Sequence, residues 1–319
     1  MKAVILDSYA LQEGDLDWSP VAQMVDELVQ YPRTKPQEII PRLCDADLVI
    51  MNNACINEEV LRACPRLKWV GVTATGVDLL DLAACRRHGV GVANVPAYST
   101  QSVAQMTFAL LLELCQSAGR YDAAVRQGHW QLKIPAACGI LPHKELCGKT
   151  LGLVGYGAIA QQVGTLARAF GMRVLCHTRT QRPEYAQQAV TFLPLSELLA
   201  DSDVVSLHCP STPETRGMLN AQSLALCKRG VLILNTARGL LVDEKAMADA
   251  LRAGQVGGYA ADVASAEPIA PDNLLLSAPR VLLTPHIAWA TPEALVRLAN
   301  TVAENLRSFL AGGVQNIVD

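Results

Sequence analysis

The sequence predicts an α/β protein built from two doubly wound parallel sheets. Three observations carry this. Apolar strand-like runs alternate with helix-like stretches, the alternation restarts in the middle of the chain, and the second series opens on a glycine-rich turn between a strand and a helix.

In the first series the strand-like runs are Ala3–Leu6, Asp47–Met51, Trp69–Thr73 and Val90–Val95. Helix-like segments sit between the later ones, at Asn57–Cys64 and Leu79–His88. Asn57 before Glu58 and Glu59 has the form of an N-cap. The stretch Ser99–Gly119 carries apolar residues at helical spacing with no interior Gly or Pro. Its length of about 30 Å suits a helix bridging two domains. A looser section with Gly and Pro follows at 128–148. The second series then runs Leu151–Val154, Val174–Cys176, Val204–Leu207, Val231–Leu234, Tyr259–Asp262 and Val281–Thr284. Six strands with helical crossovers match a dinucleotide-binding sheet. From Thr291 onward the pattern is helical again and reads as a return to the first domain.

The chain has 319 residues, half of them apolar, and a net charge of −3, which argues against disorder and against a nucleic-acid-binding surface. No apolar run approaches the roughly 18–20 residues needed to span a bilayer. The opening Met1–Asp7 reads as a first strand, not a secretory signal. The ten cysteines form no C-x-x-C pair. A zinc framework is therefore disfavoured, and reduced thiols in a cytoplasmic protein are expected.

The glycine-rich turn is Gly155-x-Gly157-x-x-Ala160. Gly155 permits a tight turn, Gly157 lets backbone approach a pyrophosphate, and Ala160 is small enough for helix–strand packing. The helix that follows offers free N–H groups to phosphates. In an open α/β sheet ligands lie beyond the carboxyl ends of the strands. Three later strands end in residues fit for hydride-transfer chemistry: Arg238 after Val231–Leu234, Asp262 and then Glu267 after Tyr259, and His286 after Val281. Arginine can clamp a carboxylate bidentately, and histidine can give or take a proton near neutral pH. A carboxylate beside that histidine would orient the imidazole and raise its pKa. Singly, each residue has an ordinary structural reading; their joint placement favours the functional one.

The segments GYGAIA, NTARGLLVDEKAMADAL, ADVASAEP and TPHIAWAT resemble the D-isomer-specific 2-hydroxyacid dehydrogenases, and the likeness spans essentially the whole chain. The resemblance implies a catalytic set of Arg238, Glu267 and His286, with no metal. It implies nucleotide contacts from Ala158, Ile159, the His208-Cys209-Pro210 to Thr215 loop, Thr236 and Ala237, with Asp262 near the nicotinamide. It also implies discontinuous domains. A flavodoxin-like substrate domain spans 1–98 and 290–319, and a Rossmann-type NAD(P) domain spans 99–289. In the substrate domain the TATGVD segment resembles the loop that binds a substrate carboxylate, through Ala74, Thr75 and Gly76; Asn52 and Asn53 are candidates for the same site.

Glu267 stands where formate dehydrogenases have an amide, which disfavours that reaction. Phosphoglycerate dehydrogenases often bear a regulatory extension that this sequence lacks. Trp289 after the histidine and the helix start at 97–114 resemble the glycerate dehydrogenase, or hydroxypyruvate reductase, branch. Trp289 either shapes the pocket or packs behind His286. The expected partner is thus a small 2-keto or 2-hydroxy acid, with phosphoglycerate- or D-lactate-type activity, or a nucleotide-sensing regulator, as alternatives. In the family the segment at 126–131 makes a two-fold dimer contact, which makes Trp130 an interface anchor and the protein a homodimer. His88, His129, His143 and His177 read as structural or surface residues.

The second strand of the later series ends in His177-Thr178-Arg179-Thr180, without the acid that usually binds an adenosine ribose. Thr178 at that position removes a repulsion toward a 2′-phosphate, and Arg179 can pair with one. NADPH is therefore favoured over NADH. The alternative is an Arg179 that points to solvent in an enzyme using NAD without the acid.

Overall fold

Short runs of aliphatic and β-branched residues, buried on both faces, become the parallel strands that the alternation predicts. The computed structural model describes residues 1–8, 16–130, 143–180, 185 and 189–318. The chain divides into two compact units, Met1–Ser99 with Ala290–Asp319, and Thr100–Trp289.

The first unit carries a five-stranded parallel sheet in the order β2-β1-β3-β4-β5. The strands are β1 (Lys2–Ile5), β2 (Glu27–Gln30), β3 (Leu48–Met51), β4 (Trp69–Val72) and β5 (Gly91–Ala93). Strands β1, β3 and β4 are nearly continuous apolar runs, and their patterns announced them. Edge strand β2 did not announce itself, because its sequence Glu-Leu-Val-Gln has exposed ends and only a half-buried middle. The helices are α1 (Ser19–Ala22), α2 (Ile39–Leu43), α3 (Glu58–Ala63) and α4 (Leu82–Arg87). Asn57 caps α3, accepting from the Val60 N–H at 3.1 Å. Helix α4 begins later than the expected Leu79, because Asp81 takes the cap and accepts from the Ala84 N–H at 2.9 Å.

The second unit carries a seven-stranded parallel sheet in the order β12-β11-β10-β9-β6-β7-β8. Helices α5 (Thr100–Gln116) and α6 (Ala118–Arg126) precede its first strand, β6 (Thr150–Val154). Then come α7 (Ala158–Ala169), β7 (Arg173–His177), β8 (Thr191–Phe192), α8 (Leu195–Asp201) and β9 (Val204–Leu207). The remainder is α9 (Ala221–Leu226), β10 (Val231–Asn235), α10 (Glu244–Arg252), β11 (Val256–Ala261) and β12 (Val281–Leu283). Strand β8 went unforeseen, since two residues at a sheet edge leave no pattern. The expected bridging helix is corrected: α5 lies wholly in this unit and packs on α7, β10 and β11. It stops at Ser117, whose φ of +52° breaks the helical backbone. Leu153 and Ile233 are fully buried on β6 and β10. Truncating either to alanine costs roughly 2–5 kcal/mol.

The chain ends in α11 (Pro292–Leu310), which belongs to the first unit. Phe309 stacks on Trp69 of β4 with centroids 6.0 Å apart, and the Asn305 side chain donates to the Asn94 carbonyl at 2.8 Å. No helix among the described residues is long and apolar enough to cross a membrane.

Candidate active site

The first strand of the second sheet, β6, lies between β9 and β7, so the chain departs to opposite sides of it. A crevice at the carboxyl ends of such strands is where an open α/β sheet takes its ligand. Gly155 turns the chain there with φ +92°, and a Cβ on it would stand 2.7 Å from the His208 backbone. Its N–H donates to the His177 carbonyl at 2.7 Å, and the His208 N–H donates to the Val154 carbonyl at 2.7 Å. Gly155 is thereby locked between the ends of β7 and β9. Gly157 caps α7, and a Cβ there would meet nothing within 4 Å. Open space lies before a helix N-terminus whose first turn holds Ala158 and Ile159, and Ala160 is fully buried beneath it. Free N–H groups and open space fit a dinucleotide pyrophosphate.

Residues after β9 shape the next wall. The His208 imidazole lies 2.8 Å from the Ser206 hydroxyl, and burial pushes its pKa down to about 4, so it is neutral. The Cys209 thiol lies 3.7 Å from the Met218 sulfur, and burial pushes its pKa up to about 11. Thr215 donates to the Pro210 carbonyl at 2.7 Å and accepts from the Thr212 N–H at 2.8 Å, which commits its hydroxyl to loop shape. Thr236 pairs with Thr107 of α5 at 2.9 Å. At the end of β7 the His177 ring lies 3.2 Å from the Leu193 carbonyl, so Nδ1 is engaged. Thr178 is half-buried and Arg179 exposed. Glu214 is held below the usual carboxylate range, chiefly by a hydrogen bond with Thr212 and in part by the charge of Arg179.

The three chemistry-bearing side chains follow β10, β11 and β12. Asn235, fully buried, accepts from the Ala237 N–H at 3.1 Å and donates to the Arg238 carbonyl at 2.9 Å. This clamps the turn on which Arg238 stands, and its guanidinium also donates to the Ala237 carbonyl at 2.9 Å. A Cβ on Gly239 would stand 1.9 Å from the Ala264 carbonyl carbon, so the arginine turn lies directly on the segment leading to Glu267. Glu267 accepts from the Ala264 N–H at 3.1 Å through Oε1 and lies 2.7 Å from His286 Nδ1 through Oε2. A carboxylate only accepts, so Nδ1 carries the proton and Nε2 is left for exchange with a ligand.

His286 has φ +56°, a left-handed conformation uncommon outside glycine. Buried Asp262 holds it there, accepting from the Thr284 hydroxyl, from the Ile287 N–H at 3.0 Å and from the Ala288 N–H at 2.7 Å. The Trp289 indole N–H donates to the His286 carbonyl at 2.7 Å, which ties its ring to the histidine turn. Sequence reasoning missed Asn235 and Gly239 as parts of the site. An asparagine ending a buried strand just before the arginine was the available signal.

The other expected residues lie in the first unit. After β4, Thr75 donates to the Val95 carbonyl at 2.9 Å and Asn94 donates to the Thr75 carbonyl at 2.8 Å, which fixes the Ala74-Thr75-Gly76 turn. The backbone N–H groups of Asn52 and Asn53 both donate to Asp7, and the Asn52 amide donates to the Thr73 carbonyl at 2.9 Å.

Comparison with known proteins matches residues 108–288 to the NAD binding domain of the D-isomer specific 2-hydroxyacid dehydrogenases. The chain is 41% identical to a hydroxypyruvate reductase of Blautia hydrogenotrophica over the whole of both chains. It is 36% identical to a glycerate dehydrogenase of Methylorubrum extorquens over 92% of each. Its structure aligns with that of a D-lactate dehydrogenase of Aquifex aeolicus, complexed with NAD and lactic acid, at a TM-score of 0.86 and 30% identity, covering 100% and 99% of the two chains. The chain belongs to the D-isomer specific 2-hydroxyacid dehydrogenase family, oxidoreductases of the CH–OH group that work with a nicotinamide dinucleotide.

Proposed function

We propose that this protein is a hydroxypyruvate or glyoxylate reductase in which His286 is the proton donor, Glu267 its partner and Arg238 the substrate clamp. The 2.7 Å contact between His286 Nδ1 and Glu267 carries the reading, because it leaves Nε2 as the group that exchanges a proton. When bound, the reduced nicotinamide supplies the hydride that turns a ketone into a CH–OH group. The chain's own residues do the rest. Arg238 holds the substrate carboxylate by paired N–H bonds and polarises the adjacent carbonyl. His286, protonated on both ring nitrogens, gives its Nε2 proton to the carbonyl oxygen, keeps its Nδ1 proton on the hydrogen bond to Glu267, and takes the Nε2 proton back in the reverse direction. Asp262 positions the histidine turn and borders the nicotinamide. The likeness to a hydroxypyruvate reductase and a glycerate dehydrogenase supports the choice of substrate.

We further infer that NADPH is the preferred cofactor, since no carboxylate stands among the residues His177–Thr180 that end β7 and the exposed Arg179 can turn its charge from Glu214 to a 2′-phosphate. The protein is proposed to be a cytoplasmic homodimer. All nine cysteines among the described residues are free thiols, and Trp130 is 71% exposed, as an interface anchor is in a single subunit.

The test is a kinetic panel of hydroxypyruvate, glyoxylate, pyruvate and phosphohydroxypyruvate with each reduced cofactor. Hydroxypyruvate or glyoxylate with NADPH is expected to lead. His286→Ala and Arg238→Ala are expected to lose most turnover while cofactor affinity stays intact. No turnover of any substrate by a protein that binds cofactor sinks the assignment, and an NADH preference shows Arg179 idle.

A further inference from the structure

Glu267 stands on an irregular segment between β11 and the helical turn at Leu274–Ser277, and residues 265–268 are all exposed. An exposed loop does not by itself hold a carboxylate within 2.7 Å of a histidine. Besides the Ala264 N–H from which Glu267 itself accepts, the segment is held by Glu244, the first residue of α10. Its carboxylate accepts from the Ser265 N–H at 2.7 Å, the Ser265 hydroxyl at 2.7 Å and the Asn273 amide at 2.7 Å. One side chain thus pins the segment two residues before Glu267 and six residues after it. Hydrogen bonds to a carboxylate are short and strong, and the first turn of a helix favours the negative charge. The support beneath is firm: Met247, Ala248 and Leu251 bury the other face of α10, and Asp243 caps it by accepting from the Ala246 N–H at 3.0 Å. Arg238 lies six residues before Glu244, joined to it by the helical turn Gly239–Leu241.

We propose that Glu244 is a positioning residue for proton transfer, acting through the Ser265–Asn273 segment to hold Glu267 against His286 Nδ1. The inference rests on the reading of His286 as the proton donor. It makes the short 238–244 segment the common support of the clamp and of the acid's partner. A loosened segment lets Glu267 drift, and the imidazole then samples both neutral tautomers, only one of which leaves Nε2 correctly disposed.

Two readouts test it. In the cofactor-free protein, ¹⁵N NMR at alkaline pH reports the tautomer of His286. Wild type is expected to hold the proton on Nδ1, and Glu244→Ala to show a mixture. In turnover, Glu244→Ala is expected to lower kcat by roughly 10–100-fold with KM for both substrates within about twofold, a split expected when only the step after binding suffers. Glu244→Gln, whose amide oxygen still accepts from the Ser265 N–H, should recover part of both losses. Ser265→Ala removes a single hydroxyl and gives a smaller change in the same direction, readable even if Glu244→Ala does not fold. Lys245→Ala, on the adjacent exposed position, should leave both unchanged. A Glu244→Ala or Ser265→Ala protein that is less stable yet keeps the wild-type tautomer and kcat overturns the proposal. If wild type turns over no 2-keto acid, the functional reading fails while the tautomer comparison still decides the role of Glu244.

Discussion

Asp262 and His286 are joined through the backbone: the buried carboxylate accepts from the N–H groups of Ile287 and Ala288, the two residues that follow the histidine. A left-handed non-glycine residue costs of order 1–3 kcal/mol and persists only where its surroundings over-determine it. Asp262 supplies that determination from the end of β11. Asp262→Asn places an NH₂ group where an acceptor stood, against an N–H or a hydroxyl. The variant is expected to lose about 1.5–3 kcal/mol of stability and at least tenfold in kcat, with dinucleotide Kd changed far less. Urea unfolding, turnover and a cofactor fluorescence titration measure the three. A weakened Kd with unchanged kcat would show that Asp262 serves the nicotinamide alone.

Gly239 meets a different constraint, since its space and not its backbone angle requires glycine. A Cβ would stand 1.9 Å from the Ala264 carbonyl carbon and 2.4 Å from the Ser265 nitrogen. Backbone cannot swing away as a side chain can, so Gly239→Ala must push the Arg238 turn and the Glu267 segment apart. Overpacking of this kind costs about 1–3 kcal/mol. Displacement of two active groups by even 1 Å costs on the order of 100-fold in turnover. Thermal melting and kcat/KM check both numbers, and a variant with wild-type turnover would show that the contact is slack.

How much of this was legible beforehand follows the chemistry. Continuous apolar runs such as Leu48–Met51 and Val231–Asn235 revealed their strands, whereas Glu27–Gln30 at a sheet edge lacked the pattern because only its middle is half-buried. Arg238, Glu267 and His286 stood out as candidates because each is a polar residue within six positions of a strand's carboxyl end. The groups that hold them were not. Glu244 looks like any acidic residue in a helix's first turn, and its bonds to Ser265 and Asn273 span about 20–30 positions that no local pattern connects. The length of α5 suggested a bridge; its burial against α7 and the sheet is a tertiary fact that helical spacing alone does not contain.

Gly155 is the tightest point of the proposed dinucleotide turn. Its φ of +92° already disfavours any Cβ, and that Cβ would enter the backbone of His208 and Cys209 at 2.7–2.8 Å. Gly155→Ala forces β6 and β9 apart just where the pyrophosphate would lie. The expected result is a rise in dinucleotide Kd of at least 100-fold, read by quenching of protein fluorescence, with a folded far-UV spectrum retained. Gly157→Ala faces open space in the protein alone and should fold normally, so its defect should appear only on titration with dinucleotide. If Gly155→Ala binds as wild type does, the pyrophosphate lies elsewhere.

Acid should weaken the protein in two separable windows. His208 has its pKa pushed down by burial from 6.5 to about 4, so between those values the unfolded chain binds more protons than the folded one. The stability it protects is full above pH 6.5 and lost as pH falls to 4, with a magnitude on the order of 3 kcal/mol. Glu58 has its pKa lowered from 4.5 to about 2, first by the Arg87 guanidinium at 2.8 Å, then by His88 at 3.1 Å, with Arg62 at 2.8 Å adding to them. Its contribution, which ties α3 to α4, is present above pH 4.5 and lost as pH falls toward 2. His208→Gln should therefore flatten the fall in denaturation midpoint between pH 6.5 and 4 and leave the lower limb alone. Glu58→Gln should do the reverse, because its amide does not titrate. Midpoints from chemical denaturation at closely spaced pH values resolve the two limbs. Curves that stay parallel to wild type in both variants would place the acid sensitivity in other groups.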